Sequence, residues 1–510
     1  MISAKPSKKQ LRLGLMFWAT GTHSAGWRHP DARTDGAFDI AFIQSVVKTA
    51  EAAKFDFLFL GDRLVSDPAL AKTNPGQMSR LEPFTVASAV AAVTTHIGLV
   101  VTANPTYNDP YTVARMTAAL DHLSGGRASW NLVTGADPAA AQNFGRKEHW
   151  STEQRYDWAD EFVDVVRKLW DSWEDDAVQT DLHGLKIDRN RIHPIAHTGP
   201  LIHIDSALDM PRPPQGHVVL LHAGTSDRSR ELAAREADVV FTGAATHADA
   251  QAYYRDIKAR AAKYDRAADD ISIMPGLIVI TAETTAEAVA IYDQLNALIT
   301  LDAEDPRTEG EVNTEDKLQG FQYVSLGRGS KRNLTLVSSA IGVDVRGNDH
   351  DALVPPDVLT RAHEAGQAIF KFVSTQTRRT VDAADPAQRI RFRDLIHASI
   401  AQTATVVGNP QEVADFMQHW LHTEAADGFN IFPSYLPGTV DDFARLVVPE
   451  LQARGLFRLD YSGHTFRDHL RLTRPPRRTT PPLSPSISED TFSSSAVSAV
   501  KPLAVEPSHG

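Results

Sequence analysis

Asp121 to Gly145 reads DHLSGGRASWNLVTGADPAAAQNFG, and this stretch decides the fold. His122 falls near the end of a helix, and Gly125 and Gly126 follow where a chain leaving a helix needs residues free to take positive φ. ASWNLVTG (Ala128 to Gly135) then reads as a strand. Its apolar residues Trp130, Leu132 and Val133 are interrupted by Asn131 and closed by Thr134, so polar groups fall where a parallel barrel strand presents them to a site. The same spacing suits a helix hairpin into a core strand with a capping Asn, and the surrounding chain must decide between the two.

Upstream lie three similar segments, LRLGLMFW (Leu11 to Trp18), FDFLFLGD (Phe55 to Asp62) and HIGLVVTA (His96 to Ala103). Each is short, apolar and closed by polar or small residues, as strands covered on both faces are. Downstream, HVVLLHAG (His217 to Gly224), DVVFTGA (Asp238 to Ala244), SIMPGLIVITA (Ser272 to Ala282) and GFNIFPSY (Gly428 to Tyr435) continue the series. Helical stretches fit between them; from Phe38 to Lys54, Ile40, Ile43, Val47 and Ala50 recur at helical spacing. Eight alternating units predict an α/β protein built as a closed (βα)8 TIM barrel. Two stretches exceed that plan. Between about Leu301 and Gln402 a long, mostly helical insertion precedes TATVVGNPQEVADF, and at the barrel's C-terminal face it would make a lid or substrate wall. From Arg474 to Gly510 the chain is rich in Pro and Ser and predicts a disordered tail, leaving residues 1–473 as the barrel with its insertion.

Composition narrows the function. The 510 residues contain no cysteine, which excludes disulfides, thiolate metal sites and cysteine nucleophiles. A net charge of -12, from 52 basic and 64 acidic residues, gives no support to a nucleic-acid partner. The N-terminus runs directly into a strand without a signal-peptide pattern, and no run approaches the roughly 18 apolar residues of a membrane span. A cytoplasmic protein with no membrane association is expected. His193, His197, His203 and His363 lack partners at metal-ligand spacing, so no metal is expected.

TANPTYNDPYTVARMTAALDHLSGGRASWNLVTG (Thr102 to Gly135) resembles the flavin-dependent monooxygenases of the bacterial luciferase-like superfamily. The resemblance is greatest to the branch holding nitrilotriacetate monooxygenase, dibenzothiophene sulfone monooxygenase and pristinamycin synthase. GWRHP (Gly26 to Pro30), FLGD ending at Asp62, LEPFTVASAVAAVTTHIGLVVTAN (Leu81 to Asn104), NFG (Asn143 to Gly145), RYDWADEF (Arg155 to Phe162) and HAGTS (His222 to Ser226) fall in the family's order. The resemblance implies a two-component enzyme. Reduced FMN would come from a separate NADH-dependent flavin reductase and react with dioxygen, and a small organic substrate would be oxygenated through a flavin hydroperoxide. It also implies a homodimer or homotetramer. No GxGxxG follows a strand, so the chain carries no dinucleotide fingerprint of its own. Two other readings stay open: a deazaflavin-dependent dehydrogenase on the same barrel, and a flavin-binding protein without catalysis.

The site residues follow from both arguments. In HVVLLHAGTSDRSRELAAREAD a strand ends at Gly224 and a helix begins, so backbone N–H groups and the helix dipole converge at Thr225 and Ser226. That is a phosphate site or ordinary N-capping; the resemblance points to the phosphate. Asp62 at a strand terminus either caps the next loop or faces the barrel mouth, and the resemblance assigns it to the flavin ring edge. Thr102, Asn131, Thr134 and Tyr156 are implied in the same way as flavin contacts, although each also suits a satisfied core position. Gly135, Thr152 and His222 depart from the family pattern, which often has Ser, His and Gln there. Thr152 stands four residues before Tyr156 as a further candidate for the cofactor. In the first mouth loop, GTHSAGWRHPDA, His23, Arg28 and His29 are the ionisable candidates, with His29 the expected proton-transfer residue. Phe17, Trp18, Trp27 and Tyr107 suggest an apolar pocket or plain core.

Overall fold

The computed structural model describes residues 9–66, 78, 80–135, 137–181, 184–302, 333–400 and 403–478. Nine parallel strands form the main sheet: β1 (Arg12–Met16), β2 (Phe57–Leu60), β3 (Gly98–Ala103), β4 (Ala128–Leu132), β5 (Val219–Ala223), β6 (Val239–Thr242), β7 (Ser272–Thr281), β8 (Ala404–Gly408) and β9 (Gly428–Phe432). All but β8 close a barrel, because β9 pairs with β7 through Gly276–Ile278 and with β1 through Arg12–Leu15. The eight closing strands are those expected from the sequence.

Side chains alternate across this wall. Met16, Phe59, Val100, Leu221, Phe241, Met274 and Phe432 fill the interior, while Leu15, Leu58, Val101, Trp130 and Leu220 face the helices. Phe466, beyond the last strand, plugs the N-terminal end against Phe57, with ring centroids 5.8 Å apart. The helices needed here are α1 (Ile40–Ala52), α2 (Pro83–Ala91), α3 (Pro110–Ser124), α4 (Thr152–Trp170), α5 (Asp227–Glu236) and α6 (His247–Ala262). α1 buries Phe42, Ile43, Val46, Val47 and Ala50; Ile40, expected on that stripe, is exposed, since Asp39 caps the helix there by accepting from Ala41 and Phe42. α3 opens on Pro110 and ends as its sequence requires, with Gly125 at φ 68° and Gly126 donating back to Asp121 O.

β8 lies outside the barrel. β7 is long enough to pair with β6 over Ser272–Pro275 and then, beyond the point where β6 stops, with β8 over Leu277–Thr281. β8 therefore extends the wall above the C-terminal rim. The insertion before it is helical where described, with Leu334–Ile341, Pro356–Arg361, Glu364–Thr377 and Phe392–Ile400 packed around Leu334, Ile341, Phe370 and Leu395 as a separate core. Gln376 Nε2 donates to Thr405 O of β8 at 2.9 Å, and Arg379 pairs with Asp293 and Asp394. Two antiparallel hairpins between α4 and β5, Val178–Asp181 with Gly184–Ile187 and His197–Thr198 with His203–Ile204, had no reading in the sequence. Of the expected tail, residues 474–478 are docked: Arg474 pairs with Asp175 and the Arg478 N–H donates to Asp171. The remainder lies outside the described residues. Among those residues no helix is long and apolar enough to cross a membrane, and no group of three His, Asp or Glu side chains is placed to hold a metal ion.

Candidate functional site

The C-terminal ends of β2, β3 and β4 bound a cleft lined by Asp62, Arg63, Thr102, Asn104, Gly135 and Asp137. Burial pushes the Asp62 carboxyl above the usual carboxylate range, opposed by the N–H of Arg63, which donates to Oδ1 at 2.8 Å, and by the charge of Arg80. Thr102 Oγ1 donates to Leu60 O at 2.8 Å and accepts from Asn131 Nδ2 at 2.9 Å. Its proton is thus committed, and the hydroxyl serves to orient Asn131. The Asn131 Oδ1 that results is buried and has no partner among the described residues. Thr134 is buried and offers its carbonyl to Thr106 Oγ1 at 2.7 Å. Thr152 begins α4 and accepts from Arg155 Nη2 at 3.1 Å, and Arg155 reaches on to Gly135 O. Gly135 is explained by its surroundings: φ is 70°, and an added Cβ would run into the Asn104 amide.

A second corner lies at the end of β5. Gly224 has φ 150°, and Thr225 and Ser226 are exposed at the head of α5. Ser226 Oγ accepts from Ser229 N at 3.3 Å, so the capping expected of this residue is present while the first N–H groups of the helix stay at the surface. Tyr156 on α4 is brought to this corner by Arg228, whose guanidinium lies 5.8 Å from the tyrosine ring. His222 is internal. Its Nδ1 meets Leu132 O at 2.6 Å and its Nε2 meets Ser229 Oγ at 2.9 Å, and burial pushes its pKa down to about 4. A neutral ring donating from Nδ1 and accepting at Nε2 satisfies both contacts, tying β5 to β4 and α5.

Across the mouth, His29 is buried and lies flat on Tyr435, with centroids 3.9 Å apart and planes 14° apart. Its Nδ1 accepts from Asp31 N at 3.3 Å, which places the proton of the neutral ring on Nε2; that atom has no partner among the described residues. Arg28 instead reaches out to Leu298 O at 3.1 Å. Sequence reasoning did not single out Asn104, Arg63, Asp137 or Tyr435. The first three follow residues at strand ends that it did single out, and Tyr435 closes the segment read as the eighth strand. His149 was also missed: it meets Tyr107 OH at 2.7 Å and keeps a buried Nε2 without a partner among the described residues.

A parallel (βα)8 barrel with a polar cleft at the C-terminal ends of its strands has the arrangement of the barrel enzymes, whose active sites lie at that face. The comparisons give the family. A family model described as "Luciferase-like monooxygenase" matches residues 16–427, and the chain belongs to that family. It is 40% identical over 482 residues to nitrilotriacetate monooxygenase component A of Aminobacter aminovorans, covering 92% of this chain and 98% of the relative. It is 38% identical over 474 residues to N-acetyl-S-(2-succino)cysteine monooxygenase of Bacillus subtilis (strain 168), with the same coverage. The crystal structure of a long-chain alkane monooxygenase superimposes with a TM-score of 0.70 at 29% identity, covering 91% of this chain and 96% of that one. The chain is an enzyme, a monooxygenase.

Proposed function

We propose that this monooxygenase takes reduced FMN from a separate NADH-dependent flavin reductase and uses it with dioxygen to oxygenate a small organic substrate. The observation that carries this reading is the buried Asn131 Oδ1, oriented by Thr102 and left without a partner among the described residues. A buried acceptor of this kind costs about 1–3 kcal/mol unless a ligand satisfies it, and a flavin ring carries an N–H that does. The second support is the corner at Thr225 and Ser226, where the exposed head of α5 suits a phosphate dianion.

The fit assigns parts. Asp62, Asn131 and Thr134 hold the ring, with Thr102 acting through Asn131. Thr225, Ser226 and Tyr156 receive the ribityl phosphate end, and Thr152 supports the wall between them through Arg155. Reduced FMN, when bound, supplies the electrons that split dioxygen, one atom going to the substrate and the other leaving as water. His29 Nε2–H is the group we assign to donate a hydrogen bond at the mouth, and the walls around it keep bulk water from the reacting centre. The deazaflavin reading rests on likeness of fold alone, to an F420-dependent reductase at 14% identity.

Purified chain given chemically reduced FMN and heavy-isotope dioxygen, with a substrate panel, is expected to place one labelled atom in a product. Ser226→Asp puts a negative charge beside the phosphate and is expected to weaken reduced-FMN binding about tenfold or more. An unchanged affinity in the folded variant removes the assigned phosphate corner.

A further inference from the structure

The first mouth loop is fastened to the segment that follows β9. Thr22 N donates to Pro433 O at 2.7 Å, His23 N to Ser434 O at 3.2 Å and Arg33 N to Leu436 O at 2.9 Å. Between these fastenings lies the face-to-face contact of His29 with Tyr435, both of them buried. Glycines make room for it. A Cβ on Gly21 would stand 2.6 Å from Tyr435 Cα, one on Gly438 2.7 Å from Tyr435 Cε2, and one on Gly26 would run into Ser434 O. Tyr435 is also held within its own segment, its N–H donating to Thr439 Oγ1 at 3.2 Å. The backbone on both sides thus fixes where the tyrosine ring stands.

The polar contacts of His29 fix far less. Asp31 N meets Nδ1 at 3.3 Å, and the Asp31 carboxylate lies 3.8 Å from that atom, beyond hydrogen-bond reach. One long N–H contact does not hold an imidazole against rotation about χ2, whose wells are broad. A flat aromatic partner does, because turning the ring out of the stack gives up its contact area. Burial, then the charges of Asp442 and Asp31, pushes the Tyr435 phenol up to about 12, so His29 rests on a neutral ring at neutral pH.

We propose that Tyr435 is a positioning residue for oxygen transfer: its ring sets the plane of His29, so that Nε2–H is presented at the mouth in one tautomer and one direction. The proposal rests on the role given to His29 in the proposed function; the positioning itself does not need the cofactor. Tyr435 acts through His29, and it is the tyrosine ring that matters and not its hydroxyl.

The test is nitrogen NMR of the full chain carrying heavy-nitrogen-labelled histidine, without flavin, with His29 assigned by the signal lost in His29→Gln. His29 is expected to show the Nε2–H tautomer alone. Tyr435→Leu is expected to give a signal averaged over both tautomers, and Tyr435→Phe, which keeps the ring, to restore the wild-type pattern. A purely structural role would move stability and leave the tautomer alone. With reduced FMN, dioxygen and the substrate panel, Tyr435→Leu is expected to lower the product formed per reduced FMN consumed about tenfold, with reduced-FMN affinity held within about twofold, and Tyr435→Phe to recover most of the yield. Mixed tautomers in the wild-type chain, a single unchanged tautomer in folded Tyr435→Leu, or equal loss of the pattern in Tyr435→Phe overturns the proposal. If Tyr435→Leu does not fold, Gly438→Ala presses a methyl group on the Tyr435 ring and is expected to disturb the same signal; an undisturbed signal there overturns the proposal as well. A chain that forms no product counts against the proposed function, and the tautomer, read without flavin, still decides the positioning.

Discussion

The floor of the barrel saturates its buried carboxylates, although Arg458 Nη1 and both His469 ring nitrogens there have no partner among the described residues, whereas the mouth leaves several polar side chains unmatched. At the floor, Asp56 accepts from Leu13 N at 2.7 Å and pairs with Arg458, and Asp121 takes Ala128 N, Gln215 N and Gln215 Nε2. Asp427 receives Lys9, Lys258, Tyr254 OH and Ile273 N, all within 3.0 Å. At the mouth, Trp18 Nε1, Thr20 Oγ1, His29 Nε2, Asn131 Oδ1, Thr281 Oγ1 and Ser434 Oγ are buried without a partner among the described residues. Saturated carboxylates knit strand beginnings together and add stability, whereas unsatisfied groups lower it and persist where a ligand completes them. The difference teaches which end of this barrel is built to stay closed and which to bind.

Each contrast can be broken by measurement. Asp427→Ala leaves Lys258 buried without its counter-charge and is expected to cost about 3–5 kcal/mol in denaturant unfolding, with reduced-FMN affinity of the folded protein unchanged. A cost below about 1 kcal/mol would erase the distinction between the two ends. His222 sharpens it from the mouth side, because both of its ring nitrogens are satisfied there. Its folded pKa of about 4 lies below the ordinary 6.5, so between those values the unfolded chain binds a proton that the folded chain refuses. The contribution is full above pH 6.5 and falls as pH drops through 4, by roughly 3 kcal/mol in total. His469 adds to the same trend, with a pKa likewise pushed down to about 4 by burial. His222→Gln can keep both hydrogen bonds, since an amide donates and accepts, and is expected to flatten the acid limb of a stability-versus-pH curve. The smallest stability effect is expected of Asn131→Leu: less than about 1 kcal/mol, together with about tenfold weaker binding of reduced FMN. A large loss of stability with unchanged flavin affinity would make Asn131 a floor-type residue in the wrong place.

The barrel was legible because its strands carry their own signals. LRLGLMFW contains β1, HIGLVVTA contains β3, and GFNIFPSY contains β9, each closed by small or polar residues. β8 carries an equally apolar sequence, but its pairing depends on how far β7 runs past β6, a property of two distant segments that no local period reveals. The same limit applies at the site. Asp62, Asn131 and Thr134 are visible by their positions at or near strand ends, whereas the stacking of His29 on Tyr435 joins residues from opposite ends of the chain. Trp18 read as apolar pocket or core because its alternation gave its depth and not the fate of its N–H. Gly135 looked like a lost side chain, and only its φ and the nearby Asn104 show why glycine stands there.

β8 also bears on how such a protein can change over generations. The strand fastens the helical insertion to the rim largely through backbone groups, which any sequence supplies, and the insertion brings a separate core. Its remaining side chains are thus relieved of much of the work of attachment. Variation can accumulate above the mouth, altering which molecules are admitted, while the barrel wall and the corner at Thr225 and Ser226 inherit their geometry unaltered.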